Sequence, residues 1–249
     1  MDVSSVSSSY YTYSNYSSSS SYATDAAGAT IEEATTTQTN GAAVGSDNIT
    51  SAQSLLNVSD SALASIQDYL QSIRELAVQA SNATLSDSDK AAIQSQIEEY
   101  LQGIADVTSN TTYNTHNLLD GTDSEYEIAT DSDGGSTTVT TGNATLDALG
   151  LTGLDVTSED FDISVIDDAI STVSSLRSQG GAQYNALTYA YNINQDKLLQ
   201  EAKDADEELE QMIETYQSRK KQNQLEQYRI QMQKKQQEAQ EQTVTNLFV

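Results

Sequence analysis

Ile66-Gln67-Asp68-Tyr69-Leu70-Gln71-Ser72-Ile73-Arg74-Glu75-Leu76-Ala77-Val78-Gln79-Ala80 is the centre of a helical pattern that runs over residues 51–83. Apolar or small residues recur at Leu55, Ser59, Ala62, Ile66, Tyr69, Ile73, Leu76 and Ala80, alternately four and three apart, so they fall on one face of an α-helix. A second row at Leu56, Leu63, Leu70 and Ala77 repeats every seven. Together the rows make a stripe wide enough for two neighbouring helices, which is a position inside a bundle. At 1.5 Å per residue this helix is roughly 48 Å long and needs long partners.

The partners follow downstream. Ser81-Asn82-Ala83-Thr84 reads as a turn. Ser86 or Asp87 then caps a second helix with Asp89 in its first turn. Ile93, Ile97, Tyr100, Ile104 and Val107 form its buried stripe, and the short connection makes it antiparallel to the first. Asn110-Thr111-Thr112-Tyr113-Asn114 stops it, and Asn117-Leu118-Leu119-Asp120-Gly121 reads as a turn. The β-branched runs Tyr126-Glu127-Ile128-Ala129-Thr130 and Thr137-Thr138-Val139-Thr140-Thr141 flank Asp133-Gly134-Gly135 and predict a hairpin. Leu146, Leu149, Leu151, Leu154 and Val156 would cover one side of it.

A third long helix is predicted from Ser158, with Ile163, Ile166, Ile170, Val173 and Leu176 on one face and Leu187, Tyr191 and Leu198 further on. Gly180-Gly181 interrupts it, as a close approach to another helix or as a bend. After the acidic run Asp204-Ala205-Asp206-Glu207-Glu208, residues 209–242 are helix-favouring and Gln-rich. They offer only Met212, Ile213, Tyr216, Leu225, Tyr228, Ile230 and Met232 for burial. Upstream of the first helix, residues 1–24 are nearly all Ser and Tyr and are expected to be a disordered tail, and residues 30–46 are weakly helical. The expected fold is mainly α, an elongated antiparallel helical bundle with a small β-hairpin region at about 121–157. Its parts are the tail 1–24, a rod 25–208 and a terminal helix 209–249.

Composition narrows the function classes. The 249 residues contain no Cys, Pro or Trp, which removes disulfides and thiolate chemistry and suits uninterrupted helices. A net charge of −26 argues against nucleic acid, whose phosphates require clustered Lys and Arg. Six of the eleven basic residues, Arg219, Lys220, Lys221, Arg229, Lys234 and Lys235, lie between Gln217 and Gln242, so this tail is electrostatically distinct from an otherwise far more acidic chain. No apolar run is long enough to span a bilayer, and no basic-then-apolar leader is seen, so export, if it occurs, would use a route that does not read such a signal.

Nothing in the chain reads as a catalytic or cofactor site. His116, the one histidine, sits in a polar loop without a pattern of orienting neighbours. Asp131-Ser132-Asp133-Gly134-Gly135 hints at a calcium loop, but its twelfth position is Gly142 where a bidentate Glu is required. Pairs such as Glu98-Glu99, Asp167-Asp168 and Glu207-Glu208 are adjacent on helices and point about 100° apart, so they do not converge on a substrate. Asn-x-Ser/Thr triplets start at Asn48, Asn57, Asn82, Asn110 and Asn143, as a chain rich in these residues generates by chance. The expectation is a non-enzyme with neither cofactor nor metal.

Leu70-Gln71-Ser72-Ile73-Arg74-Glu75-Leu76-Ala77-Val78-Gln79-Ala80-Ser81-Asn82 resembles the signature in the first long rod helix of bacterial flagellins. Asp25-Ala26-Ala27-Gly28-Ala29, Ser86-Asp87-Ser88-Asp89-Lys90, Asn110-Thr111-Thr112-Tyr113-Asn114, Leu118-Leu119-Asp120-Gly121, Leu149-Gly150-Leu151-Thr152-Gly153-Leu154 and Ser175-Leu176-Arg177-Ser178-Gln179-Gly180-Gly181 are similar to further family landmarks, in the family's order. The resemblance covers about residues 25–215 and implies an extracellular, self-associating structural subunit of the flagellar filament, serving motility. Alternatives of the same plan are a non-polymerising secreted relative and a hook–filament junction protein. Only about 40 residues separate Asp120 from Phe161, so the outer domains of larger members are expected to be missing. The Ser/Tyr tail holds the place of the family's amphipathic N-terminal helix, and the terminal helix is more polar and basic than the family's.

The resemblance also implies sites. Arg74, Glu75, Leu76 and Gln79 would set contacts between neighbouring subunits. Gln71, Ser72, Leu76 and Gln96 match the patch through which an innate immune receptor recognises flagellins. Ser72 and Gln96 are neutral where the family has Arg and Glu, which implies weakened receptor binding. Met212, Ile213, Leu225, Tyr228, Met232, Leu247 and Phe248 would serve terminal-helix assembly or an export chaperone. Implied partners are other flagellin subunits, that chaperone and the type III export apparatus. The basic helix itself has three candidate roles: contact with the acidic body of its own or another subunit, chaperone binding, or contact with an anionic membrane, for which its amphipathicity is weak.

Overall fold

The computed structural model describes residues 22–122 and 124–247. The Ser/Tyr tail lies outside the described residues up to position 21, and Phe248 lies outside them too. The elements are α1 (Tyr22–Ala80), α2 (Asp87–Asn110), β1 (Thr112–Tyr113), β2 (His116–Asn117), β3 (Glu125–Ala129), β4 (Ser136–Thr140) and α3 (Ser164–Leu247). Residues 40–195 pack as one compact unit, and the described residues on either side of them belong to a second.

Within 40–195 both rows of α1 are inward. Ile66, Leu70, Ile73 and Ala77 have no exposed surface, Leu55, Leu56, Ser59, Leu63 and Ala80 are buried, and Ala62, Tyr69 and Leu76 are half-buried against the same core. Burying each large aliphatic side chain contributes about 1.5–3 kcal/mol. One side of the stripe meets α2, where the Tyr69 and Tyr100 rings lie 5.9 Å apart and Gly103 leaves room for the Tyr69 ring. The other side meets α3 in antiparallel register: Asn194 bonds to Ala42 and Ser46, Gln53 to Thr188, Arg177 to Asp60 and Gln67, and Arg74 to Asp167. Ile73, Ile97 and Val173 therefore share one core.

The first helix starts earlier than expected. Residues 30–46 are fully helical, although their composition favours helix weakly. Their hydroxyls donate to carbonyls one turn back, as Thr37 does to Glu33 and Ser46 to Ala42, so they do not compete with the backbone ladder. Packing supplies the rest: Ala42, Ser46 and Ile49 are buried, and Asn194, itself 3% exposed, donates to the Ala42 carbonyl at 2.8 Å and to Ser46 Oγ at 2.9 Å. Once this turn is held, extension toward Tyr22 adds one bond per residue. Tyr22, Ala23 and Thr24, assigned to the tail from sequence, thus open α1.

Ser86 caps α2 through a reciprocal box with Asp89, as expected. Leu101 and Thr108 join its buried stripe, while Tyr100 and Val107 are only half-buried. The third helix begins at Ser164 and not at Ser158, because the Asp162 carboxylate takes the Ser164 N–H at 2.9 Å and residues 158–163 turn. Gly180 and Gly181 lie inside continuous helix with no neighbouring atom where a Cβ would sit, so they do not mark a close approach.

The hairpin forms in the expected place, with Tyr126 opposite Val139 and Ala129 opposite Ser136. Its loop is held by Asp131 Oδ1, which accepts from the Asp133 and Gly135 amides at 3.0 and 2.7 Å. The loop rests on α1 where glycines permit backbone approach. Thr130's carbonyl lies against Gly45, Ser132 against Gly41, and Asn48 donates to Ala129. The Leu-rich segment that follows is fastened to α2: Gln94 donates to the Leu154 carbonyl and accepts from the Val156 amide, and Thr108 donates to Ala144. Leu149, Leu151 and Val156 thereby enter the main core. Leu118 and Leu119, read as part of a turn, are core residues at 1% and 0% exposure.

Candidate interaction surfaces

The signature helix turn 71–79 splits into two faces. Ile73 and Ala77 point into the core, and Gln71, Arg74, Glu75, Val78 and Gln79 point outward, with Val78 52% exposed. Of the four residues expected to contact a neighbouring subunit, Glu75 and Gln79 are exposed and Leu76 is half-buried against the core. Arg74 is bonded within its own chain, its Nε 2.5 Å from Asp167 Oδ1. Hydrogen bonding and then the charge of Asp167 push the guanidinium further above its ordinary range. The pair is half-exposed, so water screens it and it orients α1 against α3 more than it stabilises them. Asp167 lies 93 residues from Arg74, a separation at which no sequence spacing links the two.

A second pin was equally invisible. Arg177 forks onto Asp60, with Nε–Oδ1 at 2.8 Å and Nη2–Oδ2 at 3.3 Å, while Nη1 bonds Gln67 at 2.8 Å. The positions matching the receptor patch lie along the α1–α2 seam. Ser72 and Leu76 follow the Tyr69 that touches Tyr100, and exposed Gln96 precedes Tyr100 by one turn. The Ser72 hydroxyl is turned inward to the Asp68 carbonyl at 3.0 Å. Gln71 is exposed on the neighbouring face.

The terminal set divides along α3. Leu198, Ala202, Ala205, Leu209, Met212 and Tyr216, alternately four and three apart, are buried or half-buried, a stripe along one face of the helix that runs past the acidic residues. From residue 217 to 236 every position is exposed, including Leu225 at 62%, Tyr228 at 64%, Ile230 at 48% and Met232 at 43%. Ile213, at 42%, already faces out. Tyr216, Arg219, Lys220, Asn223 and Gln227 share one face of this helix. Leu247 closes the helix, and the side chains beyond 236 lie outside the described residues.

The remaining polar features hold loops. His116 is exposed and meets Tyr126 edge to face at 5.9 Å. Asp120, Asp155 and Asp162 each take a hydroxyl and an amide two residues on, from Thr122, Thr157 and Ser164, and these bonds hold their carboxyls below the usual range. Among the described residues no group of three His, Asp or Glu could hold a metal ion, and no helix is long and apolar enough to cross a membrane.

Residues 19–124 match the family model for the bacterial flagellin N-terminal helical region. The chain is 32% identical to a flagellin of Halalkalibacterium halodurans over 171 residues, 66% of this chain and 63% of that protein. The chain is thus similar to bacterial flagellins. Another relative, the flagellar filament core protein flaB2 of Brachyspira hyodysenteriae, is 31% identical over 187 residues, 66% of this chain and 64% of its own. The chain spans just under two thirds of the length of these curated relatives. Among solved structures, Bacillus cereus flagellin superposes with a TM-score of 0.53 at 27% identity, covering 59% of this chain and 88% of that one. A putative flagellar hook-associated protein of Vibrio parahaemolyticus shares the fold, with a TM-score of 0.60 at 17% identity over 76% of this chain and 99% of its own. The flagellin family is structural, and the mainly helical fold expected from the chain agrees with these neighbours.

Proposed function

We propose that this chain is a structural subunit of the bacterial flagellar filament, secreted through the flagellar export route and self-associating through its long helices. The observation that carries the reading is the apolar surface its own fold leaves unused: Val78 beside Glu75 and Gln79 on α1, and Ile213, Leu225, Tyr228, Ile230 and Met232 along α3. Leu225, Tyr228 and Met232, three and four apart, share one face of α3, with Ile213 and Ile230 off it, and such an exposed row calls for another surface. In a family of filament proteins that surface is a neighbouring subunit. Before assembly the same row of α3, with Met212 and the terminal Leu247 and Phe248, is the segment an export chaperone would cover.

Electron microscopy of purified full-length protein after addition of filament seeds tests the role. Long filaments are expected, and persistent monomers would favour the secreted, non-polymerising relative. The same reading includes weakened engagement of the innate immune receptor, since Ser72 and Gln96 present no charge along the α1–α2 seam. Binding as tight as that of a flagellin with Arg and Glu at those two positions would reject this part.

A further inference from the structure

The polar contacts between α1 and α3 fall on one seven-residue grid. Gln195 donates to Ser46, Gln53 to Thr188 and Arg74 to Asp167. The α1 members belong to the series 46, 53, 60, 67 and 74, and the α3 members to its antiparallel counterpart 195, 188, 181, 174 and 167. Each step of seven turns about 20° on a helix, so either series spans about 80° and keeps to one side. At the two middle positions α3 offers Gly181 and Ser174. Asp60 and Gln67 opposite them are served by Arg177, which lies between those two positions and bonds both.

Arg177 also interrupts a row of α3 that otherwise packs on the core, Ile163, Ile170, Tyr184 and Tyr191. Asn194, 3% exposed, does the same at the end of the row Ile166, Val173, Gly180 and Leu187. A polar residue at a core position of paired helices fixes their register at some cost in stability. Apolar packing does not fix it here. Leu56, Leu63, Leu70 and Ala77 recur every seven, as the α3 rows do, so sliding α3 by seven residues, about 10 Å, leaves apolar on apolar.

The polar groups oppose both slides. In one direction Arg177 would meet Gln67 and the like charge of Arg74, and Asn194 would meet Ile49 and Gln53 in place of Ala42 and Ser46. In the other, Arg177 would keep Asp60, and Asn194 would meet Thr35 and Thr39, which again offer a carbonyl and a hydroxyl. Arg74, however, would be carried past the start of α3 and would lose Asp167. We infer that Arg177, Asn194 and the Arg74–Asp167 pair together form a register lock that admits one alignment of α3 on α1. The alignment matters to the hairpin, which both helices grip. Its Thr130 carbonyl lies against Gly45 of α1, and its Thr140 amide donates to Gln183 of α3 at 3.0 Å.

The chain has no cysteine, so nitroxide labels on S65C and Y189C, both exposed positions, report the alignment in the full chain by pulsed electron paramagnetic resonance. Ser65 is level with Leu176 on the grid, thirteen residues or about 20 Å along the helices from Tyr189. The labelled parent should give one distance. R177L/N194L should add a population shorter by about 5–10 Å. Its melting temperature should be no lower than the parent's, because apolar groups replace buried polar ones without loss. R74Q/D167N should add a population longer by about 5–10 Å, and that result upholds the lock even where R177L/N194L fails to fold. One unshifted distance in R74Q/D167N, or a shift of the same sign in both variants, would overturn it. So would shifts confined to Q179A/Q183A, which frees the hairpin from α3, because the hairpin would then set the alignment.

Discussion

Residues 40–195 and the α3 stretch 217–236 use apolar side chains in opposite ways. In the first, every residue of the two α1 rows is buried or half-buried, and the same holds for the stripe of α2. In the second, Leu225, Tyr228 and Met232, three and four apart on one face of the helix, stand 43–64% exposed. Helical periodicity alone therefore does not make a core. It makes one only where a second periodic element lies within reach, as α2 and α3 do for α1, and elsewhere it leaves a surface that another molecule must cover.

The largest test of that contrast is a pair of truncations. Ile73→Ala should cost about 2–5 kcal/mol in urea unfolding, since Ile73 is fully enclosed. Leu225→Ala should change the stability of the dilute chain by no more than about 0.5 kcal/mol. Comparable losses at the two sites would mean that the distal helix also serves the chain's own core. Next in size is Gly45→Ala, which places a methyl group against the Thr130 carbonyl and should destabilise by about 1–3 kcal/mol as the hairpin loop is pushed from α1.

Smaller and opposite in sign is Gly180→Ala or Gly181→Ala. Open space surrounds both positions inside α3, so each should stabilise by about 0.8–1 kcal/mol in thermal melts. A loss would show that the pair is needed for a bend or a neighbour. The mildest effect is on acid sensitivity. Asp120, Asp155 and Asp162 have carboxyls held below their ordinary value, chiefly by hydroxyls of Thr122, Thr157 and Ser164. Their contribution is complete above the unfolded value and is lost as pH falls through the lowered one. Thr122→Val and Thr157→Val should flatten the decline of 40–195 stability below about pH 4, read by urea midpoints across that range. No flattening would mean that other carboxylates govern acid unfolding.

Much of this arrangement could be read from the residues in order. The 3–4 spacing of α1, the Ser86–Asp89 box, the Asn110–Asn114 stop and the Asp133-Gly134-Gly135 turn are local signals, and each acts through neighbours a few positions away. Reading failed where the deciding partner was distant. Residues 30–46 looked weakly helical until Asn194 was placed against Ala42 and Ser46. Leu118 and Leu119 looked like a turn because they follow one, and Gln94 gave no hint that its amide clasps residues 154 and 156. The same holds at the surface: exposure of Glu75 and Gln79 follows from helix phase, but nothing near Arg74 in sequence points to Asp167.

The order of residues by itself determined that this protein would be built of long helices with a small hairpin, which faces of the helices would be apolar, and that its positive charge would lie apart from its negative charge. Those properties depend on backbone periodicity and composition, which are the same in any environment. The tertiary structure decided which polar turns became helix, which ions paired and which apolar stripe stayed in water. Each of those depends on the distance between side chains far apart in sequence, and that distance is set only when α3 lies back along α1.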